Sequence, residues 1–147
     1  MWIGFPWNSV FHDPARCHDF LLQQRWPNGV ECPRCGSKDV LFLAGYQRWH
    51  CRAKHKAPQF TLKTGTIMEN SPIALKTWLR AFRFVGVEGD ARRGGRYLSS
   101  MIGVTPKTGC SIMRRIVAAR DPGAPKSIRD PLLALIEAVC ALENNEE

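Results

Sequence analysis

Two short stretches, Cys32-Pro33-Arg34-Cys35 and Cys51-Arg52-Ala53-Lys54-His55, decide the fold of the middle of this chain. Fifteen residues separate the two stretches. Zn²⁺ takes four thiolate or imidazole ligands in a tetrahedron, and two ligand pairs on turns that a hairpin separates are typical of a zinc ribbon. The spacing therefore predicts a single Zn²⁺ ion, which Cys32, Cys35, Cys51 and His55 would bind.

The identity of the fourth ligand is the open point of this assignment. A second Cys-x2-Cys pair is more usual, but Lys54 stands where its last cysteine would be. His55 comes next and can reach the metal from a slightly wider turn. His50 is the rival ligand, although it neighbours Cys51 in a strand and is expected to point to the other face. Four protein ligands leave no position for water, so the zinc is predicted to be structural.

Three short antiparallel strands are predicted around these ligands. Apolar and alternating side chains indicate strands at 40–43, 46–50 and 59–63, and Ala44-Gly45 is expected to form the turn between the first two. A block of this size with so few apolar side chains cannot build a sufficient core, so a bound metal is expected to stabilise it.

Helices are predicted on both sides of the ribbon. Asp13-Pro14, Ser71-Pro72 and Thr105-Pro106 each place a capping side chain before a proline, which favours the first turn of a helix. The Gly-rich stretch 86–95 is expected to break the second of these helices, and 121–125 is expected to be a linker. The predicted helices cover 15–24, 73–85, 96–102, 106–120 and 131–142.

These elements predict an α+β protein, in which a small three-stranded antiparallel zinc ribbon is combined with a helical helix-turn-helix bundle. The last helix either closes the core or binds a second copy, which leaves a homodimer open. The predicted segments are an N-terminal helical part at 1–29, the ribbon at 30–66, the helix-turn-helix domain at 67–120, and a linker with a C-terminal helix and acidic tail at 121–147.

Positive charge is concentrated in the middle of the chain. The 147 residues include 21 Lys and Arg against 13 Asp and Glu, which gives a formal net charge of +8. Residues 31–126 carry +12 and residues 127–147 carry −4. Such a block indicates either a nucleic-acid partner or a solvated basic surface. No apolar run approaches the ~20 residues of a membrane helix, and the N-terminus lacks the basic lead of a signal peptide. We therefore expect a cytoplasmic, nucleoid-associated protein.

Residues 97–116 indicate two helices joined by a short turn at Gly103-Val104. The alternative is an ordinary helical hairpin, but the ribbon and the basic block favour double-stranded DNA as the partner. Helix N-termini bind phosphates, and recognition helices contact base edges. Gly109 is expected to let the second helix pack closely on the first. The predicted DNA-binding residues are Thr105, Lys107, Thr108, Ser111, Arg114 and Arg115 on the second helix, and Arg92, Arg93 and Arg96 before or at the start of the first.

The order of these motifs resembles the N-terminal region of bacterial insertion-sequence transposases that begin with a zinc ribbon. The resemblance implies binding of transposon-end DNA, with the ribbon as structural support. Its Cys-x3-His second pair is similar to a variant of that family, which favours His55 over His50. Cys110 departs from the family pattern, which commonly has a large aromatic residue there. The stretches that carry the resemblance are 25–29, 32–36, 51–55, 59–67, 71–73, 76–78 and 103–108, in order over about three quarters of the chain.

The resemblance does not carry over the family's chemistry. Family members continue into a ribonuclease-H-like domain whose acidic residues hold two divalent metals. Only 27 residues follow Arg120, whereas a domain needs on the order of 100. We therefore predict no catalytic residues and no enzyme activity, but a transposase-like DNA-recognition module that binds transposon ends or acts as a domesticated transcriptional regulator. Two alternatives stay open: the DNA-binding subunit of a transposase whose catalytic domain acts in trans, and a zinc-ribbon module that binds a protein such as a transcription partner.

Overall fold

The order of helices and strands is taken from a computed structural model, which describes residues 13–88 and 94–144. The predicted α+β class and the three-stranded antiparallel sheet are confirmed. Within the described residues the elements are α1 (Pro14–Arg25), β1 (Val40–Leu43), β2 (Arg48–Cys51), β3 (Gln59–Phe60), α2 (Leu75–Glu88), α3 (Gly94–Ile102), α4 (Pro106–Arg120) and α5 (Lys126–Asn144).

The sheet has the order β1-β2-β3, and both neighbouring pairs are antiparallel. The second strand starts later than predicted, at Arg48, because Ala44–Tyr46 is a 3₁₀ turn and Gln47 has a left-handed φ of 51°. The third strand ends at Phe60, because the next residues form a turn in which the Thr64 hydroxyl accepts from the Thr61 amide at 2.9 Å.

The first helix begins as predicted. The Asp13 carboxylate accepts a hydrogen bond from the amide of Ala15 at 3.0 Å, and Pro14 occupies the first helical position. Cys17 and Leu21 are buried and belong to one apolar cluster with the buried residues of the ribbon and of the later helices. The N-terminal helix and the ribbon therefore share a core.

Aromatic rings connect α1 to the inner face of the sheet. The ring of Trp49 stacks on that of Phe60, with a centroid distance of 5.8 Å, and lies 6.0 Å from the ring of His18. Trp26, directly after α1, meets Trp49 and Phe60 edge-on at 5.6 and 5.9 Å. Offset and edge-to-face pairs of this kind are favourable beyond the area they bury.

The predicted start of α2 is wrong, whereas its end at Glu88 lies within the stretch 86–95 that we predicted to break it. The Ser71 hydroxyl accepts from the Ile73 amide at 3.2 Å and from the Trp78 indole at 3.3 Å, so it stabilises the approach to the helix and does not cap it. Gly86 does not break the helix, which continues to Glu88. A Cβ atom at Gly86 would lie 3.0 Å from Cγ2 of Ile136 in α5, so the glycine is explained by close helix packing.

The hairpin that α3 and α4 form, called the α3–α4 hairpin below, has almost the predicted bounds. The first of its helices begins at Gly94, two residues earlier than predicted. A Cβ atom at Gly109 would collide with the carbonyl oxygen of Gly95 and lie 2.5 Å from Cβ of Ser99. The two backbones are therefore in contact, as we predicted for Gly109.

The last helix starts at Lys126 and not at the predicted Pro131. The Pro125 carbonyl accepts from the amides of Ile128 and Arg129, both at 3.0 Å, and so builds a first turn ahead of Pro131. The α5 side chains Leu132, Ile136 and Val139 are buried in the common core. The last helix therefore closes the core, which is one of the two roles predicted for it. No described helix is long and apolar enough to cross a membrane.

Candidate metal centre and nucleic-acid interface

The four predicted zinc ligands converge on one point. The ligand atoms of Cys32, Cys35, Cys51 and His55 all lie within 4.8 Å of one another. Sγ of Cys32 is 3.5 Å from Nε2 of His55, and Sγ of Cys35 is 3.5 Å from Sγ of Cys51. A tetrahedral Zn²⁺ with bonds of ~2.3 Å to sulfur and ~2.0 Å to nitrogen separates its ligand atoms by about 3.5–3.8 Å. The residues therefore fit one zinc ion.

The first ligand turn favours the thiolate form of Cys32, which can bind a cation. The Gly36 amide donates to the Cys32 carbonyl at 2.8 Å, and Gly36 closes the turn with a φ of 76°. Burial opposes ionisation of Cys32, but hydrogen bonds from the amides of Arg34 and Cys35 and from nearby thiols lower its pKa from 9.0 to about 7. Amide donors aimed at the sulfur favour the thiolate, the form that binds metal.

The second ligand turn supplies a buried sulfur and an oriented imidazole. Burial raises the pKa of the Cys51 thiol to about 11, which disfavours its thiolate. A bound cation would offset this cost and favour the thiolate. The Nδ1 of His55 donates to the Lys56 carbonyl at 2.7 Å, which leaves Nε2 free to face Cys32. His50 pairs with Gln59 across the sheet and lies outside the ligand group. The structure thus selects His55 as the fourth ligand.

A four-ligand site of three thiolates and one imidazole is closed, so this zinc is structural. Across residues 13–88 and 94–144, the His, Cys, Asp and Glu side chains form no second group that could hold a metal. The other three cysteines, which we expected to be packed thiols, lie apart from the site. Cys17 is fully buried, which raises the pKa of its thiol, and Cys110 and Cys140 are half-buried.

The predicted DNA-binding residues of α4 extend from its N-cap to the tenth of its 15 residues. Thr105 caps the helix, because its hydroxyl accepts from the Thr108 amide at 3.2 Å. Lys107 and Arg114 are exposed, and Ser111 is half-buried between them. The opposite face is buried, as the periodicity predicts: its members are Gly109, Ile112, Met113, Ile116 and Ala119. Arg96 is exposed at the start of α3, whereas Arg92 and Arg93 lie outside the described residues.

Arg115, also predicted to contact DNA, has partners within the protein. Its Nη1 donates to the carbonyls of Ile67 and Glu69, at 2.8 and 3.0 Å. These bonds tie α4 to residues 61–73, the connector between the sheet and the second helix. A DNA contact by Arg115 would therefore compete with both bonds, whereas Arg114 is exposed.

Two further cations that sequence reasoning missed hold the same connector. Arg25 donates to the carbonyls of Leu62, at 2.6 Å, and Thr64, and burial lowers its pKa to about 10. Lys63 donates to the carbonyls of Ser71 and Ile73 at 2.9 and 2.7 Å. Both cations bond to backbone carbonyls, which every residue has. No signal in the sequence therefore marks these bonds.

Comparison with known proteins gives two matches. Residues 13–56 match the family model of the transposase zinc-ribbon domain, a range that includes α1 as well as both ligand turns. The chain is also similar to an uncharacterized protein in transposable element ISH50 of Halobacterium salinarum, with 31% identity over 121 residues. The alignment covers 80% of this chain and 39% of that protein, so the chain spans about two fifths of its relative. No solved structure matches.

Proposed function

We propose that the protein is a DNA-recognition module of the transposase type, because residues 13–56 match the family model of the transposase zinc-ribbon domain. In this proposal the α3–α4 hairpin is a helix-turn-helix, and α4 enters the major groove of double-stranded DNA. The zinc supports the fold and takes no part in a reaction. The natural targets are transposon ends or operator sites derived from them.

The observation that carries this proposal is the two-sided character of α4. Its inner face packs on α3 so closely that a Cβ atom at Gly109 would collide with that helix. Its outer side exposes Lys107 and Arg114 to solvent. Ser111 lies between them, about one helical turn from each. Helix-turn-helix proteins insert the N-terminal half of such a helix into the major groove, where Lys and Arg reach guanine edges or phosphates.

The metal influences this surface through a chain of contacts. The ligand turns hold the sheet, and the sheet leads directly into the connector 61–73. Arg115 of α4 donates to carbonyls of that connector. We therefore expect the ribbon to orient α4 indirectly, which fits a structural zinc.

The experiment is selection of bound duplexes from a random DNA pool, followed by titration of the selected duplex with two variants. We expect Lys107→Ala with Arg114→Ala to weaken binding by at least about tenfold, because two phosphate or base contacts are lost. Arg120→Ala is the control, since it removes one positive charge from the exposed C-terminal end of the same helix, away from the proposed contacts. Affinity should also fall steeply between ~50 and 200 mM salt. Equal affinities of the variants, or a flat salt response, would contradict the proposal.

A second candidate is a DNA-binding subunit that works with a catalytic domain on another chain. The observation in its favour is that the ISH50 relative is much longer than the segment matched here. The test is metal-dependent cleavage of the selected duplex when a candidate nuclease chain is added to this protein. Cleavage that does not depend on this protein would contradict the candidate.

A further inference from the structure

The sheet of the ribbon has one face turned away from α1, which we call the outer face. Because Phe42, Trp49 and Phe60 lie opposite one another and form the inner aromatic cluster, the alternating positions point outward. The outer face consists of Leu41, Leu43, Arg48, His50 and Gln59, with Tyr46 at the hairpin turn that joins β1 to β2.

The outer face carries exposed apolar and aromatic groups that the fold does not use. Tyr46 is 73% exposed and Leu41 is 45% exposed. The Tyr46 ring stands on the 3₁₀ turn at the end of the hairpin. An aromatic ring in this position contributes little to the core, so its surface is free to contact a partner.

The charged side chain of this face is a cation, Arg48. Residues 40–68 include five Lys and Arg and no Asp or Glu. On the face itself, the exposed Arg48 lies 3.3 Å from the side-chain oxygen of Gln59. The acids that precede the sheet, Glu31 and Asp39, are at its metal end and lie 3.8 and 3.7 Å from Lys38 and Arg52.

We propose that the outer face binds an unpaired strand of DNA, the nucleic acid of the proposed function. The ring of Tyr46 would stack on an unpaired base, Arg48 would contact phosphate, and Gln59 and His50 would offer hydrogen bonds to base edges. Aromatic platforms in a basic setting are the usual means of holding single strands. A duplex keeps its bases stacked on one another, so it cannot use the exposed ring in this way. This site is separate from α4 and goes beyond the proposed function.

A protein partner fits this face less well. The exposed charged side chain of this face is Arg48, whose guanidinium matches the geometry of a phosphate group. The absence of acidic residues from 40–68 also matches the uniform negative charge of a nucleic-acid backbone. The charge complementarity therefore favours a strand of nucleic acid.

The test uses the full zinc-loaded chain and fluorescence anisotropy. The probes are a labelled 20-nucleotide DNA strand of mixed sequence, the RNA strand of the same sequence, and the annealed DNA duplex. We expect Tyr46→Ala and Arg48→Ala each to weaken single-strand binding about tenfold, with Tyr46→Phe close to the parent protein because it keeps the ring. Duplex affinity should not change. Tighter binding of the RNA strand than of the DNA strand would overturn the choice of DNA.

The proposal is overturned if both alanine variants bind single strands as the parent does. It is also overturned if they lose duplex and single-strand affinity equally, or if they alter only self-association or binding to another protein. Zinc content and circular dichroism confirm that each variant is folded. The Lys107→Ala and Arg114→Ala double variant separates the two proposals, because it should weaken duplex binding and leave single-strand binding unchanged.

Discussion

The ribbon and the α3–α4 hairpin are stabilised in different ways. The strands of the ribbon have four, four and two residues, and its four ligand atoms within 4.8 Å of one another supply the long-range connection. The hairpin has no metal group, and its two helices are in backbone contact at Gly95 and Gly109. One region therefore depends on coordination chemistry and the other on shape. Substitutions that affect one of these should therefore disturb the other less strongly, through the shared core and the bonds of Arg115.

The largest expected effect is that of removing a zinc ligand. Structural zinc contributes about 10–16 kcal/mol in small zinc-binding peptides, so Cys35→Ser, or chelation, should unfold residues 30–63. We expect the change in tryptophan fluorescence to be large, because Trp49 lies in this region, and the loss of helical circular dichroism to be smaller.

Two histidines make the metal prediction specific. His55→Ala should reduce zinc content and ribbon stability as strongly as the cysteine variant, whereas the neighbouring His50→Ala should leave zinc content unchanged. Zinc quantification and fluorescence measure both. Loss of zinc from the His50 variant would reverse the ligand assignment, and an unchanged Cys35 variant would remove the metal from the account.

The next effect tests the shape of the hairpin. Gly109→Ala should destabilise the protein by about 1–3 kcal/mol, because overpacking exceeds the ~1 kcal/mol that alanine gains in a helix. The Cβ atom would lie 2.5 Å from Cβ of Ser99. Gly45→Ala is the control, since no atom lies within 4 Å of the added Cβ there. Urea unfolding of both variants gives the comparison, and equal stabilities would show that the helices can separate freely.

A smaller effect concerns the tie between the two regions. Arg115→Ala should cost about 1–2 kcal/mol, because it removes hydrogen bonds of 2.8 and 3.0 Å to the connector. Arg114→Ala, one residue earlier and exposed, should change stability by less than about 0.5 kcal/mol. Urea unfolding at matched salt measures both. If Arg114→Ala were the more destabilising variant, the roles assigned to the two arginines would be exchanged.

The smallest effect is that of the first helix cap. Asp13→Ala should cost about 1 kcal/mol, because the Ala15 amide loses its acceptor. Asp19→Ala, an exposed carboxylate within the same helix, serves as the control. Thermal unfolding should show a lower midpoint for the cap variant. The same midpoint for both would mean that the cap contributes nothing in water.

Features that a sequence can specify locally were predicted well. The sequence spacing of Cys32, Cys35, Cys51 and His55 allows all four to reach one tetrahedral zinc ion. The capping residues Asp13 and Thr105, each followed by a proline, act within one helical turn. The buried face of α4 follows from helical periodicity. In each case the residue that carries the signal also makes the contact.

Features that depend on distant partners were missed. Ser71-Pro72 looks like a helix cap, but the Ser71 hydroxyl bonds to the indole of Trp78. Gly86 looks like a helix break, but it makes room for Ile136 of α5. The bonds from Arg25 and Arg115 end on backbone carbonyls, which any residue provides. Positive charge alone therefore could not separate an arginine that holds the fold from one that is free to contact DNA.

The central claim is that α4 contacts duplex DNA while the zinc supports it from a distance. The most direct measurement is the change in backbone amide NMR signals when the zinc-loaded full chain binds a selected duplex. We predict the largest shifts at Lys107, Ser111 and Arg114, with small shifts at Cys32 and Cys51. Shifts concentrated at the ligand turns, with none in the first half of α4, would contradict the account.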